Sequence, residues 1–191
     1  MISTNQIVFS REIEGIGTMS IRPIQLDSDI DTLFSWVTKP YAKYWGMLGQ
    51  TRDEVKQSYQ EIEDNNHHHT YIGLLNDTPI FLMERYKASE DIIASHYEAL
   101  NNDYGMHILV APVEKRIPKF TWEVFRTVME YFFSLSFVNR VVVEPDKNND
   151  KIHLLNKKAG FVYQKEIELP HKVASLAFCT KKLYQEAIKK I

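Results

Sequence analysis

The chain has 191 residues and a formal net charge of −2, from 23 Lys+Arg against 25 Asp+Glu. This length fits one domain and allows about 70% of the unfolded chain's surface to be buried without crosslinks. The basic residues are dispersed, and the basic stripe typical of a nucleic-acid-binding protein is not visible. The one cysteine, Cys179, excludes a disulfide framework or a cysteine-rich metal site. We therefore expect a single domain over residues 1–191 that has no nucleic-acid partner.

Neither a leader nor a membrane span is visible in the sequence. The first residues lack the basic region and apolar run of a signal peptide. No apolar stretch approaches the roughly 20 residues that a transmembrane helix needs. The expectation is a cytoplasmic protein without a membrane partner.

The first 40 residues predict two strands and a helix. Alternating polar and apolar residues predict strands over 6–12 and 18–24. Asp27 or Ser28 is then expected to cap a helix, whose apolar residues recur at helical spacing. Pro40 ends that helix, because the residue before a proline avoids the helical conformation.

The next segment predicts a helix, a strand pair and a loop. Thr51 and Glu54 have the spacing of a capping box, which predicts a helix to about residue 64. Residues 70–75 and 79–86 have strand character and are joined by a short polar turn. Residues 87–102 are polar without periodicity, so we expect a long loop there.

The remaining residues alternate strands and helices, which is typical of an α/β or α+β layer fold. Predicted strands lie at 105–110, 140–144, 161–169 and 172–178. Predicted helices lie at 120–133, 149–159 and 182–191. Gly160 follows the middle helix and is suited to its C-terminus.

Candidate catalytic and binding residues lie within or next to these predicted strands. His107 lies within the strand 105–110, and Glu-Pro-Asp at 144–146 follows the next strand. Asn149 stands eleven residues before the pair Gly160-Phe161, with apolar residues between them on one helix face. Leu-Pro-His-Lys at 169–172 precedes the last strand. Upstream lie Trp36, the run 44–47, the run 83–86, Asp91 and Tyr97.

In order and spacing, these segments resemble the GNAT superfamily of acyltransferases over about residues 20–180. They are most similar to its siderophore-biosynthesis branch, which includes the aerobactin-type N-hydroxylysine acetyltransferases and the mycobactin lysine acyltransferase. The resemblance implies a GNAT fold, with a central mixed, splayed β-sheet flanked by helices. It also implies acetyl-CoA or another acyl-CoA as cosubstrate, and no metal.

The resemblance also implies where the acyl-CoA binds. Pantetheine would pair with the open edge of the first splayed strand, and the pyrophosphate would lie at the start of the following helix, where backbone N–H groups favour an anion. The usual glycines of that phosphate loop are missing, so lysine and arginine side chains are expected to supply charge instead. The expected cofactor-binding residues are Ile108, Val110, Lys115, Arg116, Lys119, Phe120, Asn149 and His153.

The resemblance implies that His107 and Asp146 form the catalytic pair. A histidine suits general-base chemistry near neutral pH, and a carboxylate can orient its ring. A core histidine and a turn aspartate are the structural alternatives. Family members that protonate the leaving thiolate with a tyrosine carry it seven residues after the motif asparagine, where this chain has Asn156. The sequence thus leaves that proton donor unidentified.

The acceptor is expected to be a small molecule held by Trp36, Tyr44, Trp45, Glu84 and Asp91. The proposed reaction acylates a hydroxylamine or amine side chain, such as N-hydroxylysine or a hydroxylated diamine, in hydroxamate siderophore biosynthesis. Two alternatives stay open: a GNAT enzyme for an antibiotic, polyamine or protein amine, and a degenerate acyl-CoA-binding module. The acyl chain, and the choice between monomer and homodimer, also stay open.

Overall fold

A computed structural model describes residues 6–112 and 117–191. In this part of the chain the strands are β1 Phe9–Ile13, β2 Gly17–Pro23, β3 His68–Leu75, β4 Thr78–Lys87, β5 Asp103–Val110, β6 Arg140–Val143, β7 Val162–Leu169 and β8 Lys172–Thr180. The α-helices are α1 Leu26–Val37, α2 Arg52–Glu63, α3 Phe120–Ser134, α4 Asp150–Lys158 and α5 Lys181–Ile188. The strands form a mixed sheet in the order β1-β2-β3-β4-β5-β6-β8-β7, which confirms the expected α/β class. No α-helix of the described residues has the length and apolarity to cross a membrane.

Two local predictions are confirmed, one by hydrogen bonds and one by backbone conformation. At the start of α2, Glu54 N donates to Thr51 Oγ1 over 3.3 Å, and Thr51 N donates to Glu54 Oε2 over 2.7 Å. Together these bonds form the capping box. Between β3 and β4, Asn76 and Asp77 adopt positive φ values of 46° and 68°. Asparagine and aspartate tolerate this conformation, which a tight hairpin turn requires.

The predicted cap of α1 is wrong. The helix begins at Leu26 with Gln25 as its N-cap residue, and the Gln25 side chain makes no capping bond. Asp29 lies inside the first turn, where its carboxylate accepts from Gln25 N at 2.8 Å and from both terminal nitrogens of Arg22 at 2.7 Å. The ion pair with Arg22 of β2 therefore determines which acidic side chain accepts the hydrogen bond from Gln25 N at the start of the helix.

The long loop predicted over residues 87–102 is shorter and more ordered than expected. β4 continues to Lys87, and two 3-10 turns follow at Ala88–Glu90 and Ile92–His96. The Asp91 carboxylate accepts from Ile93 N at 3.0 Å and so caps the second turn. Local side-chain bonds of this kind order a polar segment that has no periodicity in sequence.

The chain divides into two compact units. The first unit runs to Glu84 and includes the segment from Ile108 to Thr127. In it, α1 and α2 bury Leu33, Val55 and Tyr59 against the strand residues Ile72 and Leu82. The other unit comprises Arg85–His107 and Val128–Ile191. Its cluster includes Tyr86, Ile93, Val142, Ile167 and Leu176.

The pairing of β5 with β6 is short. These strands run parallel, with Asp103, Tyr104 and Gly105 opposite Arg140, Val141 and Val142. β5 continues to Val110 beyond these pairs, as expected for a strand pair that parts. A methyl group on Gly105 would lie 1.9 Å from Cζ of Tyr86, so the tyrosine ring occupies the space that any larger residue would fill.

Candidate active site

His107 of β5 and Glu144, which directly follows β6, form a short contact within the second unit. His107 Nε2 lies 2.8 Å from Glu144 Oε1. Because an ionised carboxylate only accepts, Nε2 carries the hydrogen and donates it. In the neutral imidazole, Nδ1 is then the basic nitrogen. The His107 side chain is 38% exposed and that of Glu144 only 5%, so an accessible histidine is held by a buried acid.

Glu144 accepts from two further side chains. Tyr86 Oη donates to Oε2 at 2.7 Å, and Lys172 Nζ lies 3.5 Å from Oε1. Burial alone would raise the pKa of the Glu144 carboxyl, but the charge and hydrogen bond of His107, the charge of Lys172 and the Tyr86 bond together lower the pKa to about 2. Glu144 is therefore an anion at neutral pH despite its burial.

The carboxylate bonded to His107 is thus Glu144, whereas the sequence predicts Asp146. The Asp146 carboxylate accepts from Asn148 N at 2.8 Å, within a turn. The segment after β6 stays paired to β8: Ser175 N donates to Pro145 O at 2.9 Å, and Lys147 N donates to Val173 O at 3.0 Å. This pairing holds Asp146 in the turn and leaves Glu144 beside His107. A catalytic role for Asp146 stays a prediction.

The residues predicted to bind the cofactor fall into three places. Ile108 and Val110 are half-buried residues of β5 beyond its last pair with β6. Lys119, exposed and with a φ of 60°, directly precedes α3, whose first residue Phe120 is buried. Asn149 is the N-cap residue of α4, and its side chain makes no capping bond. The predicted residues Lys115 and Arg116 lie outside the described residues.

His153, also predicted to bind the cofactor, has both ring nitrogens engaged within the protein. Nε2 lies 3.1 Å from the carbonyl oxygen of Asp146, and Nδ1 lies 2.6 Å from Tyr163 Oη. Since a carbonyl only accepts, Nε2 carries the hydrogen, and in the neutral ring Nδ1 accepts from Tyr163. Asn156 is fully buried and donates from Nδ2 to the same hydroxyl at 3.2 Å. The geometry therefore favours a structural role for His153, which joins α4 to the turn after β6 and to β7.

The predicted acceptor residues have unlike surroundings. Trp36 is 8% exposed and belongs to the core of the first unit. Tyr44 is 40% exposed, with the ammonium of Lys43 lying 4.7 Å from its ring centroid. Asp91 caps a 3-10 turn in the second unit. Of these three, Tyr44 has the most surface available for a ligand.

Trp45 and Glu84 belong to a buried polar cluster in the first unit. Trp45 Nε1 donates to Tyr59 Oη at 2.9 Å, and burial together with the charge of Glu84 raises the pKa of Tyr59 well above its usual value. Glu84 Oε2 lies 3.3 Å from His68 Nε2. Trp45 thus bonds to Tyr59, and Glu84 contacts His68, both within the first unit.

Three residues of the His107 site were not assigned a role from the sequence: Tyr86, Glu144 and Lys172. All three lie in the sequence segments that carry the family resemblance. Strand alternation puts Glu144 on the same face as the buried Val142, but it puts Asp146 on that face as well. No spacing rule could have selected Tyr86 or Lys172, because they meet Glu144 from β4 and β8.

The chain matches a family model and several curated proteins. The model described as an acetyltransferase (GNAT) domain matches residues 25–169. An "N(6)-hydroxylysine O-acetyltransferase" of Escherichia coli is 30% identical over 157 residues, which are 81% of this chain and 49% of that protein. An "N-hydroxyputrescine acetyltransferase" of Acinetobacter baumannii is 26% identical over 168 residues, 87% of this chain and 80% of that protein. The chain thus spans about half the length of the first relative and most of the second.

Solved structures share the fold. An uncharacterized protein from Bacillus halodurans superposes with a TM-score of 0.86 at 27% identity, covering 97% of each chain. The aminoglycoside acetyltransferase AAC(6')-Ib in complex with coenzyme A superposes with a TM-score of 0.77 at 20% identity, covering 88% of this chain and 98% of that one. At that identity the second likeness concerns the fold alone.

Proposed function

The chain belongs to the GNAT acetyltransferase family, and on that basis we propose that it transfers an acetyl or other short acyl group from acyl-CoA to the nitrogen of a hydroxylamine side chain. The observation that carries this proposal is the accessible His107 held by the buried Glu144 carboxylate at 2.8 Å. The family match includes residues from both compact units, which supports one acyltransferase domain.

The described residues fit an acyl-CoA. Ile108 and Val110 lie on β5 beyond its pairs with β6, and strand main chain of this kind can pair with the amides of pantetheine. The Asn149 side chain makes no capping bond at the start of α4, and the exposed Lys119 offers charge beside the start of α3. When bound, the thioester would supply the activated acyl carbonyl.

His107 would act as the base. Its Nδ1 would accept the proton that the acceptor nitrogen loses as the new C–N bond forms, while the C–S bond breaks and its electron pair stays on sulfur. Glu144 would keep the hydrogen on Nε2 and stabilise the imidazolium that develops. The proton taken by His107 then passes to solvent, and the CoA thiolate leaves as such or takes a proton from water.

The proposed acceptor class is an N-hydroxylated amine used in hydroxamate siderophore assembly. Two relatives are named for N-hydroxylated substrates, N(6)-hydroxylysine and N-hydroxyputrescine. An alkylammonium of pKa near 10 must lose a proton before it attacks, which costs about 4 kcal/mol at pH 7. A hydroxylamine is neutral at that pH, so a histidine base suffices.

The test compares acceptors in steady-state assays with acetyl-CoA. The panel pairs N-hydroxylysine, N-hydroxyputrescine and N-hydroxycadaverine with lysine, putrescine and cadaverine, and adds an aminoglycoside and a peptide. We expect each hydroxylamine to exceed its parent amine in kcat/KM, with His107→Ala as the inactive control. A preference for a parent amine, an aminoglycoside or the peptide would contradict the proposed acceptor. Loss of transfer to every acceptor with intact acetyl-CoA binding would indicate a binding module.

A further inference from the structure

We propose that Lys172 and Tyr86 are positioning residues, which hold the Glu144 carboxylate against His107 Nε2 during acyl transfer. The proposal rests on the function proposed above, because it concerns the same histidine. It assigns a role to the lysine at the end of the segment 169–172, for which the sequence offers none.

The first observation is that three strands supply donors to one carboxylate. Tyr86 of β4 donates to Oε2, and His107 of β5 and Lys172 of β8 share Oε1. Both oxygens are therefore occupied, and the carboxylate plane is held from more than one direction. A carboxylate fixed in this way keeps the imidazole in one tautomer and one orientation.

The second observation is that the Tyr86 ring packs over Gly105, in space that a side chain at position 105 would fill. A Cβ atom on Gly105 would lie 1.9 Å from Tyr86 Cζ and 2.1 Å from Cε2, far inside van der Waals contact. The ring also lies against His107, with 5.0 Å between the ring centroids. Gly105 thus allows the Tyr86 ring to lie across β5, so that its hydroxyl donates to Glu144.

The third observation concerns charge. Glu144 is 5% exposed, and an ionised carboxylate at such a depth needs compensating donors or cations. The Lys172 side chain, 15% exposed, supplies a cation 3.5 Å from Oε1. A Glu144 that took up a proton could donate to Nε2 instead of accepting from it. The hydrogen would then move to Nδ1, and His107 could not act as the proposed base.

The experiment pairs two variants with two controls. Tyr86→Phe removes only the hydroxyl, and Tyr131→Phe is its match, because Tyr131 is also 2% exposed and its hydroxyl accepts from Arg85 at 3.0 Å. Lys172→Met removes the cation, and Lys147→Met is its match on the exposed ion pair with Glu166. Each protein is examined by steady-state kinetics and by ¹⁵N NMR of the His107 imidazole, with circular dichroism as the folding check.

We expect Tyr86→Phe and Lys172→Met to lower kcat by about 10- to 100-fold with little change in KM for acetyl-CoA. We also expect both to shift the His107 ¹⁵N signals away from the Nε2–H tautomer. The two controls should keep the wild-type values of both. Lys172→Arg, which keeps the cation, should retain most of the activity and serves if the methionine variant does not fold.

Wild-type kinetics and imidazole signals in folded Tyr86→Phe and Lys172→Met would overturn the proposal, as would equal losses in the controls. The acyltransferase activity and the positioning role of Lys172 and Tyr86 are tested by different measurements. If the wild-type protein acylates none of the acceptors, the proposed function fails, while the ¹⁵N signals still decide whether Lys172 and Tyr86 position His107.

Discussion

The described residues include two histidine–glutamate pairs, one in each compact unit, which differ in the exposure of the histidine and in the length of the contact. In the first unit His68 Nε2 lies 3.3 Å from Glu84 Oε2, with side chains 20% and 6% exposed. In the second, His107 Nε2 lies 2.8 Å from Glu144 Oε1, with side chains 38% and 5% exposed. The glutamates are buried alike, but His107 is more accessible and its contact is shorter.

The surroundings of the two glutamates differ as well. His68 and Glu84 lie on β3 and β4, which are consecutive in the chain and adjacent in the sheet. The Glu144 carboxylate accepts donors from β4, β5 and β8. A histidine–glutamate contact by itself is thus a weak signal of catalysis. An accessible imidazole whose acid partner is fixed by donors distant in sequence is a stronger one.

The largest expected effect separates the two histidines. His107→Ala should lower kcat by about 10²–10⁴-fold, because it removes the proposed general base. His68→Ala should lower kcat less, because the His68 side chain is less exposed than that of His107 and its contact with the glutamate is longer. Glu144 keeps Tyr86 and Lys172 as partners in His107→Ala, so the fold should survive, which thermal unfolding can verify. Equal losses of turnover in the two alanine variants would break the comparison.

The next effect separates the two acids that follow β6. Glu144→Gln should lower kcat by about 10²-fold or more, since an amide can donate to the imidazole and select the wrong tautomer. Asp146→Asn should cost less, because the turn contact with Asn148 N needs only an acceptor oxygen, which asparagine keeps. Both are measured as kcat with saturating acetyl-CoA. A larger loss in Asp146→Asn would return the orienting role to Asp146.

The depressed pKa of Glu144 predicts an acid-dependent loss of stability. The pKa is about 2 in the folded protein against an ordinary value of 4.5, so the carboxylate contributes stability above pH 4.5. That contribution, about 3 kcal/mol, is lost as the pH falls from 4.5 towards 2. Urea unfolding at pH 6 and pH 3 should show a steeper loss in wild type than in Glu144→Gln. Identical pH dependence in both proteins would be evidence against an ionised Glu144.

The smallest effect compares two glycines that lie under aromatic rings. A Cβ atom on Gly73 would lie 1.9 Å from Phe81 Cε1, and one on Gly105 would lie 1.9 Å from Tyr86 Cζ. Alanine at either position should cost roughly 1–3 kcal/mol of unfolding free energy, because a rigid ring must move. In folded protein, only Gly105→Ala should also lower kcat, since only Tyr86 contacts Glu144. An equal fall of kcat in Gly73→Ala would argue against that link.

Local signals predicted most of the secondary structure. The capping box at Thr51 and the turn at Asn76 and Asp77 follow from bonds and conformations within a few residues. The start of α1 is not predictable from local signals, because Asp29 forms an ion pair with Arg22 on the preceding strand as well as a hydrogen bond with Gln25 N. Residues 87–102 lack a sequence signal for their two 3-10 turns, because such short turns leave little periodicity.

By itself, the sequence determined the layer class, the family and the histidine proposed as base. Tertiary structure alone decided which acid meets that histidine. Glu144 and Asp146 lie two residues apart, so strand alternation puts both on one face and cannot separate them. The pairing of residues 145–147 with β8 holds Asp146 in a turn, and donors from β4, β5 and β8 surround Glu144. Those donors lie up to 58 residues away in the chain, beyond the reach of any local pattern.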